Sequence, residues 1–298
     1  MRQSFPLRAA AFMVGAGLCF ALANALTQVV TSQLGFRPQS DSFWQYAIAL
    51  VLALPFLRRH GLAGLKTAHP VLHLVRVLLS ALGVQAFVMA LSHGTPIWQV
   101  IALVMTSPFF VLLGAALVLG ERVDLSRWGA SALGFAGAMV LLRPWETGFA
   151  LAALYPVASA ILWAAASLLT KRLTETERPE TVTLWLLVLL TPINGAVSVQ
   201  VGFEWPTGWI LVWLLAGGAL VFLAQHCLTL AYSSADAAFV QPFDDIKLLS
   251  NVVVGWAVFG YLPEGPLWLG VAMILAASSW LLWSERSGAA LRGGTAPA

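Results

Sequence analysis

Three ionisable residues fall inside an apolar stretch that runs from 236 to 260: Asp244, Asp245 and Lys247. Charge at membrane depth is costly and by default marks function. Asp244 and Lys247 lie three apart and share a helix face, whereas Asp245 points about 100° away from Asp244. One acid is then expected to pair with Lys247 or with Arg76, which lies in the stretch 70–92, leaving the other carboxylate to couple protons or bind an amine. The competing reading is a buried ion network that only fixes helix packing. A shift of 141 residues relates Gln85 to His226, beside Gln225. Polar positions repeated in this way suit a central cavity, where His226 contacts substrate or carries a proton; alternatively it hydrogen-bonds a neighbouring helix. Asn24, Thr27, Gln28, Ser167 and Thr170 are further polar candidates that equally suit backbone bonding and close packing. Trp163, near the middle of 148–172, either stacks on a flat substrate or a cation, or packs in the core. Trp98 and Tyr232 are gate or pocket candidates, and Pro108 and Pro242 are helix kinks or hinges.

The elements that position these residues follow from composition. Of 298 residues, 59% are hydrophobic and 10% charged, with mean hydropathy +0.84. No soluble core needs so much apolar surface. The net charge of +3 is spread too thinly for a nucleic-acid face. Cys19 and Cys227 sit within apolar runs, without the spacing of a disulfide framework or zinc site. Spans of about 20 residues are expected at 9–32, 41–57, 70–92, 95–119 and 124–143, and again at 148–172, 180–201, 206–232, 236–260 and 263–284. The first is too long for a signal-peptide core. The predicted fold class is an all-α integral membrane protein of ten transmembrane helices in the bacterial inner membrane. With the N-terminus inside, the inner segments carry twelve basic residues, among them Arg8, Arg58, Arg122, Lys171 and Arg286, whereas the outer loops carry only Arg37 and Arg143. That asymmetry places both termini in the cytoplasm. Trp145, Trp205, Trp209, Trp268 and Trp283 fit interfacial belts.

The two halves resemble one another. At the 141-residue shift Ala90, Ser92, Val111, Gly114, Gly129 and Leu141 coincide with Ala231, Ser233, Val252, Gly255, Gly270 and Leu282. Five helices per half is odd, so the second copy is inverted: 1–144 forms one five-helix repeat, 145–286 the other, and 287–298 a disordered cytoplasmic tail. Inverted repeats point to a secondary transporter working by alternating access around a midplane site. Helices 1, 3, 4, 6, 8 and 9 would bound the cavity, with helices 5 and 10 as scaffold, in a monomer or weak homodimer. The expected partners are lipid, a small-molecule substrate and protons. The rival classes are a channel and an integral-membrane enzyme. No H-E-x-x-H, G-x-S-x-G or phosphate loop is present, and the sequence carries no cofactor or metal spacing.

Gly114 and Gly120-Glu121-Arg122 closing the fourth helix, Gly129 and Gly134 in the fifth, then Gln241-Pro242-Phe243, Lys247, Gly255-Trp256, Phe259-Gly260, Pro263 and Leu269-Gly270 in the second half resemble the EamA-type branch of the drug/metabolite transporter superfamily. The likeness spans nearly the whole chain. It departs at Tyr261, where the family commonly has glutamate; the nearest acid is Glu264. Family resemblance implies export of small metabolites, and the likeness to bacterial aromatic amino acid exporters implies amino acids as substrate, with multidrug or other metabolite transport as the alternative.

Overall fold

A computed structural model describes residues 6–60, 65–92, 103–104, 106–121, 123–142, 154–244, 246–259, 269, 272–273, 275–277, 279–280 and 283. Among them the regular structure is entirely helical. The helices are α1 (Pro6–Gln28), continued by a π turn over Val29–Gln33, α2 (Pro38–His60), α3 (Pro70–Ser92), α4 (Ser107–Val118), α5 (Leu125–Leu142), α6 (Leu154–Thr176), α7 (Pro179–Val201), α8 (Trp209–Ser234), α9 (Ala237–Asp244) and α10 (Ile246–Phe259). Prolines open several of them, because the first helical position has no intrahelical use for an N–H. Among the described residues, five segments are long and apolar enough to cross a membrane: Pro6–Thr31, Pro70–Phe87, Leu154–Thr176, Pro179–Val201 and Trp209–Ser234.

One expectation changes here. Pro108 does not kink the middle of a 95–119 helix. It occupies the first turn of α4, after Thr106, where its missing N–H costs nothing. The stretch expected over 236–260 is described as α9 and α10, on either side of residue 245, which lies outside the described residues; Pro242 falls inside α9. Proline there cannot donate to the Ala238 carbonyl one turn earlier.

Small residues set how closely helices approach. α1 buries Ala9, Ala10, Ala16, Gly17, Ala21, Ala23 and Ala25, and packs along α8 and α10. A Cβ on Gly17 would lie 3.2 Å from the Lys247 Cα. α3 lies along α6. There a Cβ on Gly83 would come within 2.6 Å of the Trp163 ring, so the indole lies against bare backbone. Trp163 Nε1 donates to the Ser80 carbonyl at 3.3 Å, and Ser159 Oγ donates to the Gly83 carbonyl at 2.8 Å.

One end of the bundle is closed by helix-end electrostatics. α8 and α9 meet in a tight turn at Ala235-Asp236. The Glu121 carboxylate accepts from the Ala237 and Ala238 amides at 2.9 and 3.0 Å, capping the unpaired donors that begin α9. Lys171 Nζ donates to the Tyr232 and Ala235 carbonyls at 3.2 and 2.7 Å, satisfying the unpaired acceptors that end α8. Arg127 approaches Asp236 at 3.4 Å. Gly120 makes this reach possible: at φ 67° it turns the chain after α4 in the left-handed region. Burial pushes the Glu121 carboxyl above its ordinary value, and the two amides pull it back only in part. Behind this clamp lies an apolar plug from α1, α4, α6, α8 and α9, including Met13, Leu112, Leu168, Tyr232, Phe239 and Phe243.

At the opposite end, contacts join α2 to α7. Arg37 donates to the Val201 carbonyl at 2.5 Å and the Gly202 carbonyl at 3.1 Å, and the Ser40 and Ser198 hydroxyls meet at 2.9 Å.

Gly83→Ala is expected to destabilise the protein by about 1–3 kcal/mol, because the indole must leave its site; thermal unfolding in detergent measures this. Glu121→Ala leaves two helix-end donors uncapped and is expected to cost about 1–2 kcal/mol. Glu121→Gln, keeping one acceptor, is expected to cost less. Equal unfolding temperatures for both variants and the parent would contradict the clamp.

Candidate functional site: a polar ladder above the closed end

Met13, Gly17, Asn24 and Gln28 recur at helical spacing along one face of α1. Met13 is 0% exposed and Gly17 is buried, but Asn24 and Gln28, two to three turns on, are exposed. This is not the lipid face. Leu18 and Leu22, 47% and 37% exposed, mark that face on the opposite side of the helix. Exposed carboxamides on the protein-facing side of a membrane helix are tolerable only beside water. The four residues therefore mark a candidate cavity wall, buried toward the clamped end and exposed at the Asn24 end.

α10 supplies the facing groups. Asp244 Oδ2 accepts from Lys247 Nζ at 2.9 Å, both side chains being partly buried. Asn251, one turn on, donates to the Lys247 carbonyl at 2.7 Å and accepts from Asn24 Nδ2 at 3.1 Å. Deeper, Tyr232 donates to Gln241 Oε1 at 3.1 Å, both residues being fully enclosed, and Ser167 also bonds the Tyr232 hydroxyl. The result is a ladder along the inner face of α9 and α10, from Tyr232–Gln241 at the plug, through Asp244–Lys247, to Asn251–Asn24 and Gln28. Its charges cancel, and its upper rungs are neutral amides that donate and accept. Such a surface can bind a polar, uncharged solute.

The remaining expected site residues lie elsewhere. His226 sits among α2, α7 and α8, with Phe56 and Phe222 ring centroids 4.9 and 6.1 Å away and Thr183 Oγ1 3.4 Å from Nδ1. Its neighbour Gln225 donates to the Tyr46 hydroxyl at 3.4 Å. Both make contacts between helices, apart from the ladder. Gln85 follows the exposed α3 stripe of Val71, Leu78, Leu82 and Met89, away from the face where Val77 is 0% exposed. Trp163 is held on Gly83 and beside Phe87. Of the two partners expected for an acid of 236–260, Lys247 meets Asp244, while Arg76 bonds Thr170 Oγ1 and the Val182 carbonyl, each at 3.2 Å. Sequence position alone did not reveal that α3 faces α6 and α7. Trp98 and Asp245 lie outside the described residues.

Two buried polar groups escaped the sequence reading. Glu177 accepts from the Thr67 hydroxyl and meets His73 Nε2 at 2.8 Å, joining the ends of α3 and α6. Asp41, 1% exposed, receives Gln45 Nε2 at 2.9 Å on both oxygens, and Gln45 Nε2 also approaches Thr27 Oγ1 at 2.8 Å. Glu177 falls between the expected spans 148–172 and 180–201, and Asp41 at the first residue of 41–57, where Gln45 one helical turn later is the available signal. No group of three or more histidine, cysteine, aspartate or glutamate side chains able to hold a metal occurs among the described residues.

Comparison with known proteins fits this picture. Residues 7–143 match the EamA-like transporter family. The chain is 57% identical to a riboflavin transporter from Rhizobium johnstonii over 93% of this chain and 91% of that protein. It is 25% identical to an S-adenosylmethionine uptake transporter from Rickettsia felis over 92% of this chain and 94% of that one. A solved crystal structure superposes with TM-score 0.71 at 18% identity, covering 91% of this chain and 98% of the other, which shows a shared fold. The relatives' names give riboflavin and S-adenosylmethionine, so nothing here supports the expected likeness to aromatic amino acid exporters. The chain belongs to the EamA-like transporter family of the drug/metabolite transporters and is a multi-pass inner-membrane transporter, not an enzyme.

Proposed function

We propose that this transporter takes riboflavin into the cell by alternating access. The observation that carries the reading is the 57% identity to a riboflavin transporter over nearly the full length of both chains. The ladder's chemistry supports it. Riboflavin is uncharged, with an imide edge and a polyol chain that need donors and acceptors but no counter-ion. Asn24, Asn251 and Gln28 provide these. A zwitterionic amino acid would first have to break the Asp244–Lys247 pair. Uptake as the direction is supported by the S-adenosylmethionine uptake relative, and it replaces the export expected from sequence.

The architecture proposed with this function is ten spanning helices in two inverted halves, 1–144 and 145–286, with both termini cytoplasmic. The packing supports the repeat: α1 against α8 and α6 against α3 are equivalent pairs under it, as are α1 against α10 and α6 against α4. The family match ending at residue 143 supports the boundary. Lys171 and Arg127 lie at the clamped end, so the excess of basic residues inside makes that end cytoplasmic and opens the cavity outward. Flavin then enters from outside onto Asn24, Gln28 and Asn251. Release requires Glu121 and Lys171 to let go of the α8–α9 turn.

Uptake of labelled riboflavin by a bacterial riboflavin auxotroph lacking other flavin importers tests the proposal. Expression of the chain is expected to restore growth on micromolar riboflavin, with saturable uptake competed by unlabelled riboflavin but not by phenylalanine or tryptophan. Asn24→Ala and Asn251→Ala are each expected to raise KM about tenfold, the equivalent of one lost hydrogen bond of about 1.4 kcal/mol. Competition by the amino acids, or no rescue with the protein present in the membrane, would overturn the riboflavin reading. Linear, unsaturable uptake would point to a channel.

A further inference from the structure

We infer that Asp41 is the proton-binding group of this transporter and that substrate movement is coupled to its protonation. The sequence directs attention to Asp244 and His226, but the structure gives both a settled place: Asp244 is neutralised by Lys247, and His226 is enclosed by Phe56, Phe222 and Thr183. Asp41 has no such compensation. It is 1% exposed, and the side-chain hydrogen bonds made to its carboxyl come from neutral groups, Gln45 Nε2 on both oxygens and Thr27.

Among the described residues, the charged groups at this end are Arg37 and Glu204, and both are engaged elsewhere. The Arg37 guanidinium donates to the Val201 and Gly202 carbonyls, and the Glu204 carboxylate accepts from the Arg37 amide at 2.9 Å. From α7, Asp41's neighbour Ser40 meets Ser198; from α8, Gly217 packs on Gln45, a Cβ there lying 3.1 Å from the Gln45 carboxamide carbon. α1 contributes Thr27. The residues that α1, α7 and α8 bring here, Thr27, Ser198 and Gly217, carry no ionisable group. A carboxylate held in this way carries an unpaid desolvation cost that one proton removes.

The position converts that proton into motion. Asp41, Gln45 and Thr27 tie α2 to α1 beside α8, and Thr27 is adjacent to Gln28 on the cavity wall. Ionised Asp41 only accepts, orienting the Gln45 amide N–H groups toward itself; protonated Asp41 donates, so Gln45 is free to turn and its hold on Thr27 is lost. The π turn over Val29–Gln33 directly follows, a helix irregularity that can absorb a shift of α1. A proton taken from external water by an Asp41 oxygen therefore loosens the α1–α2 tie when the cavity faces out. The same proton leaves to internal water once the cavity opens inward, so one positive charge enters with each neutral substrate.

The test uses the purified full-length protein in proteoliposomes, comparing counterflow of labelled riboflavin without a gradient against accumulation driven by an inward proton gradient. The parent is expected to accumulate substrate several-fold over the gradient-free level, and a protonophore is expected to abolish this. Asp41→Asn is expected to keep counterflow within about twofold but to lose gradient-driven accumulation. Asp41→Glu is expected to retain both with a displaced pH midpoint. Difference infrared spectroscopy against pH supplies a readout independent of substrate: a protonated-carboxyl band present in the parent is expected to vanish in Asp41→Asn. Accumulation that persists in Asp41→Asn, a parent indifferent to the gradient while counterflow proceeds, or loss of counterflow in both variants would overturn the inference. Absence of riboflavin counterflow in the parent, with the infrared band lost on Asp41→Asn, would reject the substrate and leave the proton site standing.

Discussion

The end-capping of the α8–α9 turn governs the rest of this structure. A helix leaves donors unpaired at its start and acceptors unpaired at its finish, and here Glu121 and Lys171, from two other segments, satisfy both kinds at adjacent residues. Their charges also oppose the two helix dipoles favourably. Closing one end in this way draws α1, α4, α6, α8 and α9 around a plug built on Tyr232 and Phe239. Toward the other end the face of α1 changes from buried Met13 to exposed Asn24. Cavity shape is thus a consequence of how two helix ends are neutralised.

The second constraint is that polar side chains within the membrane must find partners or water. They divide accordingly. Arg76, His73 with Glu177, His226 and Gln225 find protein partners and stitch helices together. Asn24, Gln28 and Asn251 retain unused donors and acceptors beside the cavity. Asp41 falls between these classes, buried but met only by neutral groups, which makes it the residue whose state a proton can change most.

Much of the fold was legible in the sequence because lipid demands long apolar runs. The expected 180–201 span agrees with α7 (Pro179–Val201) to a residue at the start, and 70–92 agrees with α3 (Pro70–Ser92), each opened by a proline at the first helical position. Asp244 with Lys247 was legible from spacing alone, since i,i+3 neighbours meet on any helix. What sequence could not give was which helix faces which. Glu121 reaches α9 across 116 residues, and Arg76 turns to α6 and α7 instead of α10. Substrate was least legible: an amide-lined, charge-balanced wall has no sequence motif, and likeness to the relatives named as riboflavin transporters replaced the amino acids first expected.

The central claim, that substrate enters an outward-opening cavity lined by Asn24 and closed at Tyr232, is tested most directly by cysteine accessibility. In a background with Cys19 and Cys227 replaced, Asn24→Cys and Gln28→Cys are labelled in right-side-out membranes with an impermeant maleimide, with and without riboflavin. The account predicts that both positions react from outside, that Tyr232→Cys does not, and that riboflavin protects the first two. Equal labelling of all three, reaction only from the cytoplasmic side, or no protection by riboflavin would contradict it.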